Sequence, residues 1–474
     1  VIGHEAGDAI NHADAGGTVA IGRSSGGAIT NATGDTLVGY QSGAAITEGL
    51  HNTAVGYQAM LTSAENGDDS TALGYQALKT WNSDTNSHGR NTAIGSKSAL
   101  NLTTADNSIF IGFLAGGAGT ITGNNNVVVG NEAGENLAGG DSNVFIGHQS
   151  GRDATSGADN VMIGTYAGDT GNSSNTVLIG KNAGTAINST DANGTVAIGA
   201  QSGAAITSGV GSTFVGYQAG TAIQDVDNNT LIGYQAGVTA STGMGNSVAV
   251  GYKALEDNNN TSNTAVGYQA ALELTGQYNV CIGDSAGDTL VNGNNNTVIG
   301  SGADVDSATA SARLVIGKGV SGTANNTAIL GINAATASIA LDGSTTTWSA
   351  ASSDERYKEN IETSTAGLSF VNDLRPVTYN WKKAKDVPSD MPLYKEGSNE
   401  PVLGYEYGKT LHGFIAQEVK ATIDGHSEIK EGFGMWIEGD NGVQTISDGT
   451  LVPMLVRAVQ ELSQQVEDLK AKIN

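Results

Sequence analysis

An aliphatic residue followed by glycine recurs along the first three quarters of the chain. Its glycine falls at positions 3, 22, 39, 56, 74, 95, 112, 130, 147, 164, 180, 199, 216, 233, 251, 267, 283, 300, 317 and 331. The 20 copies are 14 to 21 residues apart, with a mean near 17. The residue before the glycine is Ile, Val or Leu in all 20, and the third residue after it is Ala or Ser in 19, with Val320 the exception. Typical units read Asn52-Thr53-Ala54-Val55-Gly56-Tyr57-Gln58-Ala59 and Asn263-Thr264-Ala265-Val266-Gly267-Tyr268-Gln269-Ala270. So short a period excludes helical hairpins, and no 3.6-residue pattern runs through it. Each unit reads as a strand of three to four residues followed by glycine and a polar turn. A unit of this size cannot bury a face alone, but stacking one on the next builds a continuous core.

Alternation along the strand adds a second constraint. In Thr264-Ala265-Val266 the outer two side chains point one way and Ala265 the other. The middle position is itself apolar throughout, as at Phe110, Val128, Phe145, Met162, Leu178, Phe214, Leu231, Cys281 and Val298. A strand apolar on both faces is buried on both faces. A slender coil has one interior, so the second face calls for a partner, and the simplest is another copy around a shared axis. The repeat glycine reads as a tight turn or close backbone approach. The Ala or Ser after it reads as filling a crowded position where three chains meet, and the variable loops as facing outward. The recurrent Asn residues (Asn52, Asn91, Asn126, Asn143, Asn160, Asn229, Asn263, Asn279 and Asn296) read as partners of turn backbone groups. At a strand spacing near 4.8 Å, the stack reaches about 95 Å.

Composition agrees and excludes other classes. Residues 1–352 hold 57 of the 68 Gly and none of the five Pro, whereas residues 353–474 hold Pro376, Pro388, Pro392, Pro401, Pro453 and 13 of the 22 basic residues. The net charge of −25 repels phosphate backbones and argues against nucleic-acid binding. No apolar run is long enough for a membrane-spanning helix. The lone Cys281 excludes a disulfide framework and falls at a core strand position. The seven His are scattered without ligand spacing, so neither a metal nor a cofactor is expected. Seven of the 14 Tyr follow the repeat glycine (Tyr40, Tyr57, Tyr75, Tyr217, Tyr234, Tyr252 and Tyr268), a stripe that reads as packing between rungs before it reads as a sugar-gripping surface. The chain opens Val1-Ile2-Gly3 without an initiator Met, as a fragment or processed chain would.

Asn246-Ser247-Val248-Ala249-Val250-Gly251-Tyr252-Lys253-Ala254 resembles the head repeats of trimeric autotransporter adhesins, and similar repeats occur in phage tail fibres. For roughly residues 1–335 the resemblance implies a mainly β fold, a left-handed parallel β-roll wound as a homotrimer. Residues 336–352 then form a connector.

From Ser353 onward the sequence changes character. It carries Ser353-Asp354-Glu355-Arg356-Tyr357-Lys358, then Leu374-Arg375-Pro376-Val377-Thr378-Tyr379-Asn380-Trp381, then His412-Gly413-Phe414-Ile415-Ala416-Gln417-Glu418-Val419, and finally Leu451-Val452-Pro453-Met454-Leu455-Val456-Arg457-Ala458-Val459. These motifs resemble the endosialidase-type intramolecular chaperone, a self-cleaving domain at the end of phage tail fibres and tailspikes. The resemblance implies a small α+β domain over 353–450, a C-terminal helix or coiled coil over 451–474, and one cut between Ser352 and Ser353 once the trimer has formed. It makes Ser353 the nucleophile and Lys358 the base.

A serine hydroxyl is a weak nucleophile until a base takes its proton. Lysine is that base only when neutral, which requires burial or a cationic neighbour such as Arg356. Five residues apart on an extended chain, Ser353 and Lys358 lie beyond hydrogen-bond reach, so a turn or a neighbouring subunit has to join them. Spacing alone equally fits a helix cap or turn with a solvated lysine. Asp354 either orients the site or forms that turn.

The tail is amphipathic. Leu455, Val459, Leu462, Val466, Leu469 and Ile473 follow a 4-3-4-3-4 spacing, a short heptad seam. The expectation is therefore a structural, host-attaching tail fibre in the virion, assembled in the host cytoplasm. Its partners would be itself as a homotrimer, a host surface receptor (a glycan among the candidates) and other tail proteins ahead of Val1. Its only enzymatic act would be its own single-turnover cleavage. The rivals are a bacterial trimeric surface adhesin, a polysaccharide-cleaving tailspike, and a structural fibre with an uncleaved, inactive chaperone.

Overall fold

In the computed structural model the chain divides into two compact units, Val1–Ser353 and Asp354–Asn474. The structure describes residues 1–10, 16–62, 67–81, 89–189, 192–225, 227–239, 243–258, 260–342, 349–350, 355–402, 408–430, 432–439 and 442–473.

The first unit is a parallel β-solenoid. Ile2 bridges to Ile21, and 17 strands of three residues follow, from β1 (Val19–Ile21) to β17 (Thr297–Ile299). Each strand pairs in parallel with the next at the same register, so that Val19 lies opposite Thr36, Phe214 opposite Leu231 and Val266 opposite Ile282. Beyond them β18 (Asp304–Val305) pairs with β20 (Ser321–Gly322), while the main ladder runs on through β19 (Arg313–Ile316) and β21 (Thr327–Ile332). There the coil stops. β21 pairs antiparallel with β22 (Ala335–Ala340), which pairs with β23 (Ser349–Ala350). The twentieth aliphatic–glycine pair, Leu330-Gly331, thus lies inside a six-residue strand and not at a strand end, because the antiparallel partner holds the backbone extended through it.

The middle residue of each short strand is fully buried in the chain's own interior, whereas its two neighbours stay half-buried or exposed. The Ala or Ser column corrects the sequence expectation. Ala59, Ala115, Ser98 and Ser202 are completely buried inside a single chain, not at a meeting of three. The serines are held there by hydrogen bonds, with Ser42 Oγ donating to the Ala54 carbonyl at 2.6 Å, Ser98 to Phe110 at 2.8 Å and Ser202 to Phe214 at 2.9 Å. A third apolar column, seven residues after the glycine, completes the core with Ile29, Ile46, Leu137, Ile187, Ile206, Ile223 and Leu290. Long intervals also send residues inward: Trp81, from the interval between Gly74 and Gly95, is fully buried.

Tight winding explains the glycine and asparagine content. Gly147 has φ +135°, and a Cβ there would lie 2.6 Å from the carbonyl oxygen of Gly164 in the next coil. Further left-handed residues turn each coil, such as Gln218 (φ 56°) and Asn228 (φ 58°), a conformation that Asn tolerates better than most side chains.

The recurrent Asn residues belong to a buried ladder that runs in two stretches, interrupted at Thr195, whose N–H turns to the Ala192 carbonyl of its own coil. Within each stretch the residue before the strand accepts, through its side chain, the backbone N–H of its counterpart in the next coil. Asn126 Oδ1 takes the Asn143 N–H at 2.9 Å, and Asn143 Oδ1 takes that of Asn160 at 3.1 Å. In most of them the amide's other arm reaches a carbonyl across the coil, as Asn143 Nδ2 donates to Gly157 at 2.8 Å, whereas Asn229 Nδ2 is buried without a partner. Ser70, Ser108, Ser212 and Ser247 occupy the same column and accept through the hydroxyl. The ladder ends at Arg313, whose N–H goes to Asn296 Oδ1 at 3.1 Å. Its buried guanidinium pairs with Asp306 at 2.6 Å and also reaches Asn325 and the Gly322 carbonyl.

The second unit is small and α+β. It contains α1 (Leu368–Asp373), β24 (Val377–Tyr379) antiparallel to β25 (Leu411–Gly413), α2 (Ala416–Gly425), a pair of β26 (Trp436–Glu438) and β27 (Gln444–Ile446), and α3 (Val452–Ile473). Its core gathers Phe370, Leu374, Val419, Ile423, Met435 and Leu451. Pro453 sits in the first turn of α3, where its missing N–H costs no helical bond.

Candidate self-association surfaces and processing site

Two surfaces lack cover in the single chain. The first is the outward face of the solenoid strands. Ile21, Leu73, Ile109, Ile146, Ile232, Val266 and Ile282 are each exposed by more than a third although they are aliphatic. Beside this face run the tyrosines in two ladders. Tyr40, Tyr57 and Tyr75 stack at centroid distances of 5.1 and 5.4 Å, and Tyr217, Tyr234, Tyr252 and Tyr268 at 5.3, 5.3 and 5.1 Å. Rung-to-rung packing is what the sequence led one to expect of them. Tyr57, Tyr234 and Tyr252 are stacked on both faces, so they present mainly ring edges and hydroxyls outward, whereas the rings that end each ladder are stacked by a tyrosine on one face. Under them Gln58 Nε2 donates to Gln41 Oε1 at 2.8 Å, and Gln76 Nε2 to Gln58 Oε1 at 2.9 Å.

The second surface is the seam of α3. One side of the helix packs on its own unit: Ala458 is buried, Met454 joins the core, and Glu461 Oε2 accepts the Leu368 N–H at the start of α1 at 2.8 Å. Arg457 pairs with Glu461 at 2.9 Å. The other side carries the expected heptad residues, and all are open: Leu455 is 41 % exposed, Val459 63 %, Leu462 51 % and Ile473 83 %. A shallow open groove there is lined by Val459, Leu462, Ser463, Val466 and Glu467.

Of the expected processing residues, Lys358 alone is described. It is exposed and follows a single 3-10 turn (Glu355–Tyr357), its backbone N–H donating to the Glu355 carbonyl at 3.0 Å. Ser352, Ser353 and Asp354 lie outside the described residues. Among the described residues no group of three His, Cys, Asp or Glu is placed to hold a metal, and no helix is long and apolar enough to cross a membrane. Cys281 is buried at a strand's middle position, and burial pushes its thiol up to about 12.

His426 is a site that sequence reading passed over as one of seven scattered histidines. It follows α2, with Nε2 2.9 Å from Asp373 Oδ2 at the end of α1 and Nδ1 3.1 Å from Glu428 Oε1. Its ring stands edge-on to Phe370 at 5.4 Å. The hydrogen bond to Asp373 and the Glu428 carboxylate raise its pKa above the ordinary histidine value, against a smaller opposing effect of burial. The only sequence signal was its position just past an amphipathic helix.

Residues 353–427 match the protein family described as chaperone of endosialidase. The match begins at Ser353, within one residue of the boundary between the two compact units, and takes in α1 and α2 but not α3. No curated protein and no solved structure matches the chain. The chain thus joins a β-solenoid to a unit that is similar, over residues 353–427, to the chaperone of endosialidase.

Proposed function

We infer that the chain is part of a phage tail fibre, a trimeric shaft whose C-terminal unit nucleates assembly and is then cut away between Ser352 and Ser353. The observation that carries this reading is the coincidence of two features. A solenoid leaves an aliphatic strand face partly bare along its length, and the chaperone match begins where the solenoid unit ends. Parallel coils with near-identical strands can pair one repeat out of register, and their contacts between copies form slowly. A compact trimeric unit at one end, closed by the α3 seams, fixes the register before the coils wind.

The chemistry follows from the position of the nucleophile. The Ser353 hydroxyl attacks the Ser352 carbonyl carbon while Lys358 Nζ takes the hydroxyl proton. Collapse breaks the Ser352–Ser353 peptide bond, frees the Ser353 amine and leaves an ester that water hydrolyses. Lys358 serves as base only when neutral, which calls for burial or a cationic neighbour. It is exposed in the single chain; where an adjoining copy supplies the burial, cleavage reports on assembly. Host attachment rests on the exposed surface of the shaft. Expressing the chain beside Ser353→Ala and comparing subunit masses on a denaturing gel tests the cut. A wild type that stays full length as a trimer refutes the cleavage and leaves the assembly role standing.

A further inference from the structure

Besides Arg313 at its end, the buried ladder has a member of different chemistry. Asp35 precedes the second strand, in the column held elsewhere by Asn, Ser or Thr, and it is fully buried. Its Oδ1 does what the asparagines do, accepting the Asn52 N–H at 2.7 Å. Its Oδ2 stands where an asparagine carries its NH2 group. In the next coil, Asn52 Nδ2 donates to the Gly67 carbonyl at 2.7 Å, and Asn143 and Asn160 use the same arm on Gly157 and Ser173. Asp35 Oδ2 is buried without a hydrogen-bond partner. An ionised carboxylate has no hydrogen to give there. A protonated carboxyl has the shape of the carboxamide and restores the donor.

We propose that Asp35 is a proton-operated joint in the N-terminal coils of the solenoid, closed when its carboxyl is neutral and loosened when it ionises. Burial is the main influence on this carboxyl and pushes it up to about 6, with the Asn52 N–H, the charge of His51 and the Asn52 side-chain amide opposing and Asp68 adding to the rise. The described residues of the preceding coil next to it, Gly16 to Thr18, carry no ionisable side chain. The following coils bring His51, whose Nδ1 lies 3.3 Å from Asp69 Oδ1, and Asp68, whose Oδ1 accepts the Leu50 N–H at 2.8 Å. With the folded-state value above the unfolded one, the coils are most stable in acid and lose stability as pH rises. His51 lies close enough to act on this carboxyl, so the two are separated by mutation.

The experiment is hydrogen–deuterium exchange on the full chain, read on peptides covering residues 35–55 and corrected for intrinsic rate, between pH 5 and pH 7.5. In wild type, protection should fall about tenfold over that interval, the change expected for a buried carboxyl raised to about 6. Asp35→Asn, which restores the ladder, should be flat with pH and better protected at pH 7.5. Asp35→Ser, a residue already used in this column, should also be flat. His51→Gln should keep the wild-type profile. A wild type without pH dependence, an Asp35→Asn or Asp35→Ser profile that still falls, a less protected Asp35→Asn at pH 7.5, or a flat His51→Gln profile each overturns the proposal.

Discussion

Replacing Asn143 with alanine tests how much of the solenoid's stability resides in the ladder. Four hydrogen bonds of its side chain disappear, but only two groups are left without a partner. Asn160 Nδ2 keeps its bond to the Ser173 carbonyl, and Asn126 Oδ1 keeps the Asn143 backbone N–H. The Asn160 N–H and the Gly157 carbonyl, served at 3.1 and 2.8 Å by Asn143, are stranded in the interior. Each stranded buried group costs about 1–3 kcal/mol, so the variant should lose about 4 kcal/mol locally. Asn143→Ser should lose about half as much, since its hydroxyl still accepts from Asn160 as Ser108 does from Asn126 at 3.0 Å. Coils contact only their neighbours, so the damage stays local and a global melting curve would dilute it. The appropriate assay is hydrogen exchange on peptides spanning residues 140–165. There about 4 kcal/mol appears as a loss of protection on the order of a thousandfold. If Asn143→Ala exchanges within tenfold of wild type, or Asn143→Ser is no better than Asn143→Ala, the ladder is not what holds the coils together.

Other substitutions probe separate parts of the structure. Gly147→Ala places a Cβ against the Gly164 backbone and should open local pairing by several-fold more exchange than Gly194→Ala, whose Cβ meets nothing within 4 Å and whose cost is about 1 kcal/mol of backbone strain. Leu462→Asp alters an exposed seam position, so it should abolish trimers in light scattering while the circular dichroism of the C-terminal unit is retained. His426 has a folded-state value above its unfolded one. Its contribution to the C-terminal unit should therefore be complete below the unfolded histidine value and fade as pH rises through the folded one, a slope that denaturant titrations should find missing in His426→Gln.

The sequence was most informative where one physical demand repeats. Strand middles such as Phe214, the strand-end glycines and the Asn column were legible because each coil solves the same problem with the same residue type. The Ala and Ser column was legible as a crowded place but not as to whose atoms crowd it. A small residue fits a tight spot inside one coil as well as one between three chains, and only the hydrogen bond from Ser98 Oγ to the Phe110 carbonyl decides. Trp81 was hidden by its loop, since interval length says nothing about which way a side chain turns. Leu330-Gly331 kept the repeat's letters but not its geometry, because its strand turns back into an antiparallel partner and not into another coil. In the second unit the α3 seam was plain from heptad spacing, whereas His426 depends on Asp373, 53 residues away, and no local pattern joins them.

These differences bear on why such a shaft would need a separate unit to assemble. Inside one chain, the alanine-rich core and the ladder reward any coil placed on any other, since Asn, Ser and Thr are interchangeable within the column. Positional information has to come from members that do not repeat. Within the first unit the two strongest are Asp35 near one end and Arg313 at the other, where a buried guanidinium meets Asp306, Asn325 and the Gly322 carbonyl. A coil slipped by one repeat would keep the Asp306 pair, which lies within Arg313's own coil, but would lose the Asn325 and Gly322 partners supplied by the next. On the proposed reading, Arg313 would mark one end of the solenoid within a chain, and alignment between copies would fall to the exposed seam of α3.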